Sequence, residues 1–392
     1  MGSDPIVLRY EISGGKEMPR LDHHRDEYDE ETLVKLDLYK KYLQAWLPVF
    51  LNLPKLHLAR LQIFDFFAGP GHDIKGIKGS PLIALDAVQE AMAAKNTCSL
   101  AVHLYLNELD VAKYDELRRC CQAHPFAKQV HLHFLNKDFS AAFDEWSPLF
   151  EYSESGRTVA ANLVFFDQSG TKEVNEKVFK KVVSATRTDF LFFIASSYMF
   201  RFQEQNFSGT PVEKEDLDGM TMRTFHRKVC DAYRRWLPQG LEYYLAPFSL
   251  AKDGGANIYG LIFGSAHPAG INKFLTICWK KDELRGEANY DIDSENINSA
   301  IPSLFSDWNV PNKIKVFEAQ AEELILKGKL RTNIAVFKYA LTNGFLAEHA
   351  KSLVNRLIAE EKLPKQKLRI SYAACGYLNS VPEEIRLIKE CK

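Results

Sequence analysis

Four acidic residues of the 392-residue chain stand within or just after apolar runs, where a folded sheet could turn them toward a ligand. Asp65 lies inside Leu61–Phe67, and Ala68-Gly69-Pro70-Gly71 follows at once. Glu108 follows Leu100–Leu106, Asp138 follows Val130–Leu135, and Asp167 follows Ala161–Phe166. A glycine pair after a strand lets the backbone turn sharply and approach a ligand with no side chain between, and the helix beyond offers free N–H groups. Gly-Pro-Gly is equally a plain turn. A carboxylate at Asp65 suits a ligand ammonium, and one at Glu108 can accept from vicinal hydroxyls. Glutamate at a strand end is more often simply solvated, and Asn136-Lys137-Asp138 also makes a good turn.

The elements needed to position these groups are legible. Continuous hydrophobicity in Leu61–Phe67 marks a strand buried on both faces, followed by a helix from Ser80 to Ala94 with Pro81 in its first turn. Strand Leu100–Leu106, helix Val111–Gln122, strand Val130–Leu135, strand Ala161–Phe166, helix Lys172–Ala185 and strand Asp189–Ala195 continue the alternation. Such alternation predicts an α/β fold with a mostly parallel sheet, and ligands then bind at the carboxyl ends of the strands. Ile258–Phe263 and Phe274–Trp279 read as a late antiparallel pair joined by residues 264–270. His131 and His133 alternate on one strand face with no third ligand near in sequence, so no metal site is expected.

Composition bounds the rest. Hydrophobic residues make up 46% and charged residues 26%, with 50 Lys and Arg against 51 Asp and Glu, which excludes disordered, collagenous and coiled-coil classes. Seven cysteines without a C-x-x-C pair read as reduced thiols. No apolar run is long enough to span a bilayer and the amino terminus lacks a signal-peptide pattern, so a cytoplasmic location is expected. From Asn312 onward 15 Lys and Arg face 9 Glu, a small basic module on an acidic body. Its helices at Val316–Lys327, after Thr332 and at Leu346–Lys362, with a ribbon at Leu368–Tyr372, outline a winged helix-turn-helix over residues 312–392. Its exposed Lys351, Asn355, Arg356, Lys367 and Arg369 are candidate nucleic-acid contacts. Between Arg201 and Trp236, arginines alternate with aromatics; Phe225, Val229, Ala232, Tyr233 and Trp236 fit one face of an amphipathic helix, while Arg201 and Arg227 are further candidate phosphate contacts.

Asp65-Phe66-Phe67-Ala68-Gly69-Pro70-Gly71, Gly79-Ser80-Pro81, Glu108 and Phe165-Phe166-Asp167-Gln168-Ser169-Gly170 together resemble the three-Cys-motif partner (TcmP) family of predicted class I S-adenosylmethionine-dependent methyltransferases. The similarity begins at a Lys35/Tyr42-bearing helix and runs to His267-Pro268. It implies a Rossmann-like methyltransferase sheet, mostly parallel with the last strand antiparallel, over residues 1–290, a substrate-side insertion at 200–245, and a winged helix behind it. It further implies that Ala68, Gly69, Pro70 and Gly71 hold the methionine part of S-adenosylmethionine, with Phe67, Ser80 and Phe139 also among the cofactor-binding residues. Asp65 would face the cofactor's amino group directly or through water, Glu108 its ribose hydroxyls, and Asp138 the adenine amine. Asp167 would border methyl transfer as base or orienting acceptor, with Tyr198 and His267 in reach. Amino-methyltransferases carry Asn/Asp-Pro-Pro-aromatic here and the family more usually Asp-Pro-aromatic-Gly, whereas this chain has Asp-Gln-Ser-Gly.

The expected function is thus methyl transfer to nucleic acid, with nucleic acid and a three-Cys-motif protein as partners. The alternatives are a binding or partner protein on the same fold that has lost turnover, and an NAD-dependent oxidoreductase. Against the last stand the missing G-x-G-x-x-G and the 37-residue interval from Gly71 to Glu108.

Overall fold

The computed structural model describes residues 27–51, 58–94, 100–154, 157–158, 160–168, 170–202, 207–252, 257–297, 310–377 and 379–388. Seven strands form one sheet: β1 (Arg60–Asp65), β2 (Ala101–Asn107), β3 (His131–Leu135), β4 (Ala160–Phe166), β5 (Thr188–Ile194), β6 (Tyr244–Lys252) and β7 (Asn257–Ser265). Their order is β3-β2-β1-β4-β5-β7-β6. The first five run parallel, and β7, last in the chain, runs antiparallel to both neighbours. Asp65 pairs in register with Leu106 on one side and Phe165 on the other, so the expected site loops leave the sheet side by side.

Helices cover both faces, as parallel connections require. α1 (Glu30–Leu51), α2 (Ser80–Ala93) and α3 (Val111–Ala123) pack with α8 (Pro268–Lys281) on one face. α4 (Phe139–Trp146), α5 (Glu176–Ser184) and α7 (Phe225–Arg235) cover the other, and α6 (Ser196–Arg201) follows β5. The central strands are apolar on both sides because both sides are covered; every residue of β4 is buried. α7 is the amphipathic helix read from the sequence, with Phe225, Val229, Ala232 and Tyr233 buried.

Two late elements differ from expectation. Phe274–Trp279 is helical, within α8: Pro268 occupies its first turn, the His267 side chain accepts from the Ala269 N–H at 3.0 Å, and Ile271, Phe274, Leu275 and Cys278 bury one helical face. The antiparallel partner of β7 is β6, a strand whose Pro247 masked its pattern and which lies at the sheet edge, where a proline is tolerated.

Beyond the sheet lie α9 (Asn312–Leu326), α10 (Asn333–Thr342) and α11 (Ala347–Ala359). The Thr332 hydroxyl caps α10 by accepting from the Ala335 N–H at 3.1 Å. Leu368–Tyr372 is not a strand. Asn333 Nδ2 donates to the Arg369 carbonyl, and Ser371 caps a single helical turn, α12 (Tyr372–Cys375). The chain instead returns along residues 383–385, which pair with Arg331 and Asn333. These helices join the sheet body through Trp279 Nε1, which donates to the Gly344 carbonyl at 3.0 Å, and through Lys313, 3.0 Å from Glu287. Among the described residues no helix is long and apolar enough to cross a membrane.

Candidate functional site

A cleft of about 860 Å³ opens at the carboxyl ends of β1 to β4, where the strand order reverses. The glycine loop follows Phe67 of its wall without itself lining the cleft. Gly69 (φ 62°) and Gly71 (φ 94°) adopt left-handed conformations that favour glycine, and a β-carbon on Gly71 would lie 2.4 Å from Cys120 Sγ. The Ala68 N–H donates to the Asn107 carbonyl at 2.9 Å, and the Gly69 N–H to Glu108 Oε2 at 3.0 Å. The other Glu108 oxygen accepts from the Asp110 N–H at 2.8 Å. Glu108 thus braces the loop while lining the cleft. Asn107 ties all three strand ends together, donating from Nδ2 to the carbonyls of Phe66 and Lys137. Reading the sequence missed that role; a polar residue closing a largely apolar strand was its signal.

Asp65 is 1% exposed and lies behind the loop. It accepts from the Ser80 hydroxyl at 2.6 Å and the Phe67 N–H at 3.2 Å. Burial pushes its carboxyl up to about 7, although both hydrogen bonds oppose this. Phe67, Glu108, Asp138, Phe139 and Asp167 line the cleft; Ala68, Gly69, Pro70, Gly71, Ser80 and Asp65 build the structure beneath it. Asp138 caps α4, accepting from the Ala141 N–H at 3.0 Å. The Phe67 and Phe139 rings stack with centroids 5.2 Å apart.

The far end of the cleft is shaped by α1. Lys35 donates to Asp167 Oδ1 at 2.7 Å, with its ammonium 5.3 Å from the centre of the Phe193 ring. Burial works against the ammonium, yet Asp167 holds its pKa above the ordinary lysine value. Asp167 therefore meets a ligand already paired with a cation. Spacing carried the sign of this in Lys35, Leu38, Tyr39 and Tyr42, which put a lysine on an otherwise apolar helical stripe. Next to the pair, Gln168 is 4% exposed; its carbonyl oxygen accepts from the Glu173 N–H at 3.1 Å, and its Nε2 has no partner among the described residues. Ser169 lies outside the described residues. Carboxylates outnumber lysines around the cleft, a lining that favours a ligand with a positive centre.

Other expected site residues sit elsewhere. Tyr198 is not on the cleft wall; its ring packs against Phe202 with centroids 4.9 Å apart. His267 caps α8, as noted above. Arg201 reaches Asn257 Oδ1 at 3.0 Å. Three candidate nucleic-acid contacts are engaged in ion pairs. Arg227 is held by Glu287 and Asp293, Arg356 by Glu318, Glu322 and Glu360, and Arg369 by Glu383. Lys351, Asn355 and Lys367 are exposed. His103, His131 and His133 stack across β2 and β3, with His103 Nδ1 3.0 Å from His133 Nε2. Among the described residues no group of three or more His, Cys, Asp or Glu is arranged to hold a metal ion.

No family model and no curated protein matches the chain. Solved structures do match in part. Trm1 from Pyrococcus horikoshii in complex with S-adenosyl-L-methionine is 10% identical, with 59% of this chain and 55% of that one covered and a TM-score of 0.34. An O-methyltransferase from Bacillus cereus in complex with SAH is 10% identical, with 61% and 92% covered and a TM-score of 0.30. TrmN from Thermus thermophilus is 14% identical, with 57% and 51% covered and a TM-score of 0.26.

Proposed function

We propose that the chain binds S-adenosylmethionine in this cleft and transfers its methyl group to nucleic acid. The observation that carries the reading is Glu108, whose carboxylate braces the Gly69 backbone while bordering an open cleft at the carboxyl end of β2, the position from which it would accept the ribose hydroxyls. The sheet agrees with the one the TcmP resemblance calls for, mostly parallel with its last strand antiparallel. The stacked Phe67 and Phe139 rings would border the adenine on one side, with Asp138 at its amine; Asp65 would act on the methionine end through Ser80 and the loop. The cofactor supplies an activated methyl on a sulfonium; the protein's task is alignment in a cleft closed by α1. Arg201 after β5, with Lys351, Asn355 and Lys367 of the basic C-terminal module that we read as a winged helix, would hold the substrate outside the cleft. A three-Cys-motif protein is the proposed partner, and the cytoplasm the proposed location.

The Lys35–Asp167 pair favours a second reading, a cofactor-binding partner protein without turnover, because the candidate base is already engaged. Calorimetric titration with SAM and SAH, followed by transfer of labelled methyl to mixed RNA and DNA, separates the readings. Binding with transfer supports the enzyme and binding without transfer the partner protein. A shift in melting temperature with NADH but not with SAM rejects both.

A further inference from the structure

At the far end of the cleft two buried donor groups have unfilled hydrogen-bonding capacity. A lysine ammonium carries three N–H bonds and a glutamine amide two. Among the described residues Lys35 Nζ has one hydrogen-bond partner, Asp167 Oδ1, and Gln168 Nε2 has none. Both residues line the cleft, 9% and 4% exposed respectively. A buried donor left unsatisfied costs roughly 1–3 kcal/mol, which a ligand acceptor placed beside it recovers. The charge balance then narrows the ligand. Asp167 already compensates the Lys35 ammonium, and Asp29 and Glu31 add negative field around it, so an anion is repelled while a neutral acceptor atom is not. The flat rings of Phe193 and Tyr259 line the same end.

We propose that Lys35 and Gln168 select the methyl acceptor as an oxo nucleobase, donating to its exocyclic carbonyl oxygen and neighbouring ring acceptors. This rests on the methyltransferase reading above and names the base class its substrate presents. A base drawn out of its strand into the cleft brings such a carbonyl to the wall while the phosphates stay outside the acidic lining. Adenine has an amino group where a 6-oxopurine has its carbonyl, so it would turn N–H donors toward these donors and leave them without that acceptor, and sites built to hydrogen-bond reject such analogues strongly.

The test uses the full chain saturated with SAH and measures nucleoside affinity by calorimetry, comparing inosine with adenosine. Expected is at least tenfold tighter binding of inosine. Gln168→Glu keeps the acceptor for the Glu173 N–H but replaces the amide donor, and should abolish or invert the preference. Lys35→Met should weaken inosine about tenfold, and Lys35→Arg, which keeps donors, should restore most of it. If adenosine binds as well as inosine, if neither nucleoside binds, or if Gln168→Glu leaves the preference intact, the proposal is overturned while SAH binding stands. A wild-type chain that takes no SAH overturns the methyltransferase reading itself and this selection with it.

Discussion

Glu108 Oε2 accepts the Gly69 N–H at 3.0 Å, joining the end of β2 to the loop after β1 across the floor of the cleft. One carboxylate thereby sets the loop's shape and presents a charge to the ligand. Glu108→Ala should lower SAH affinity at least tenfold in calorimetry. Its two backbone hydrogen bonds should cost roughly 1–3 kcal/mol in urea unfolding. Unchanged SAH affinity would remove Glu108 from the site.

Gly71 faces Cys120, whose thiol donates to the Pro70 carbonyl at 3.3 Å. Gly71→Ala adds a methyl where there is no room and a side chain at φ 94°, and should destabilise by about 2 kcal/mol or more. In a Cys120→Ala background part of that loss should return, because the overlap goes while the backbone strain stays. A double-mutant cycle on unfolding free energies reads the coupling, and strict additivity would show that the thiol is not the obstacle.

Stability should depend on pH in two opposed ways. Asp65 titrates at about 7 when folded, so its protonated form belongs to the native state, and its contribution fades as pH rises from about 4 to 7. Relative to wild type, Asp65→Asn should therefore gain stability across that window and level off above it. Burial holds His226 at about 4, which makes its contribution full above pH 6.5 and lost as pH falls toward 4. Replacing His226 with glutamine should flatten the acid limb between those values. Urea midpoints measured from pH 4 to 8 check both signs.

Arg227 and the lysines of the C-terminal helices should separate in their effects. Arg227→Met breaks contacts to Glu287 and Asp293 and should cost roughly 2–3 kcal/mol of stability with little change in nucleic-acid affinity. Lys351→Ala with Lys367→Ala should leave stability nearly unchanged, weaken nucleic-acid binding and reduce its salt dependence by about two phosphate contacts. Filter binding across a salt series distinguishes them, and an unaltered slope in the double variant would exclude this surface.

What was readable in the sequence follows from periodicity and punctuation. Apolar runs fully buried on both faces, such as Leu61–Asp65 and Ala161–Phe166, announce themselves, and the acidic residues closing them were found at the strand ends. The Thr332 cap was readable, but the edge strand and the His267 cap were not. Pro247 disguised β6, while Phe274–Trp279 shows the same short apolar run in a helix as in a strand until Pro268 and the His267 cap decide it. Pairing between distant charges was hidden altogether. Nothing local to Arg227 or Arg369 reveals the carboxylates that engage them, and of the three that engage Arg356 only Glu360, one helical turn on, is near in sequence; likewise nothing near Asp167 reveals Lys35, 132 residues earlier.

Trp279 and Lys313 fasten the C-terminal helices to the sheet body by bonds to Gly344 and Glu287. A strand gripped by Lys351 and Lys367 would consequently be presented at a set distance from the cleft mouth. The molecule would then measure along its substrate as a fixed caliper does, choosing which nucleotide arrives by spacing before any atom of that nucleotide is touched.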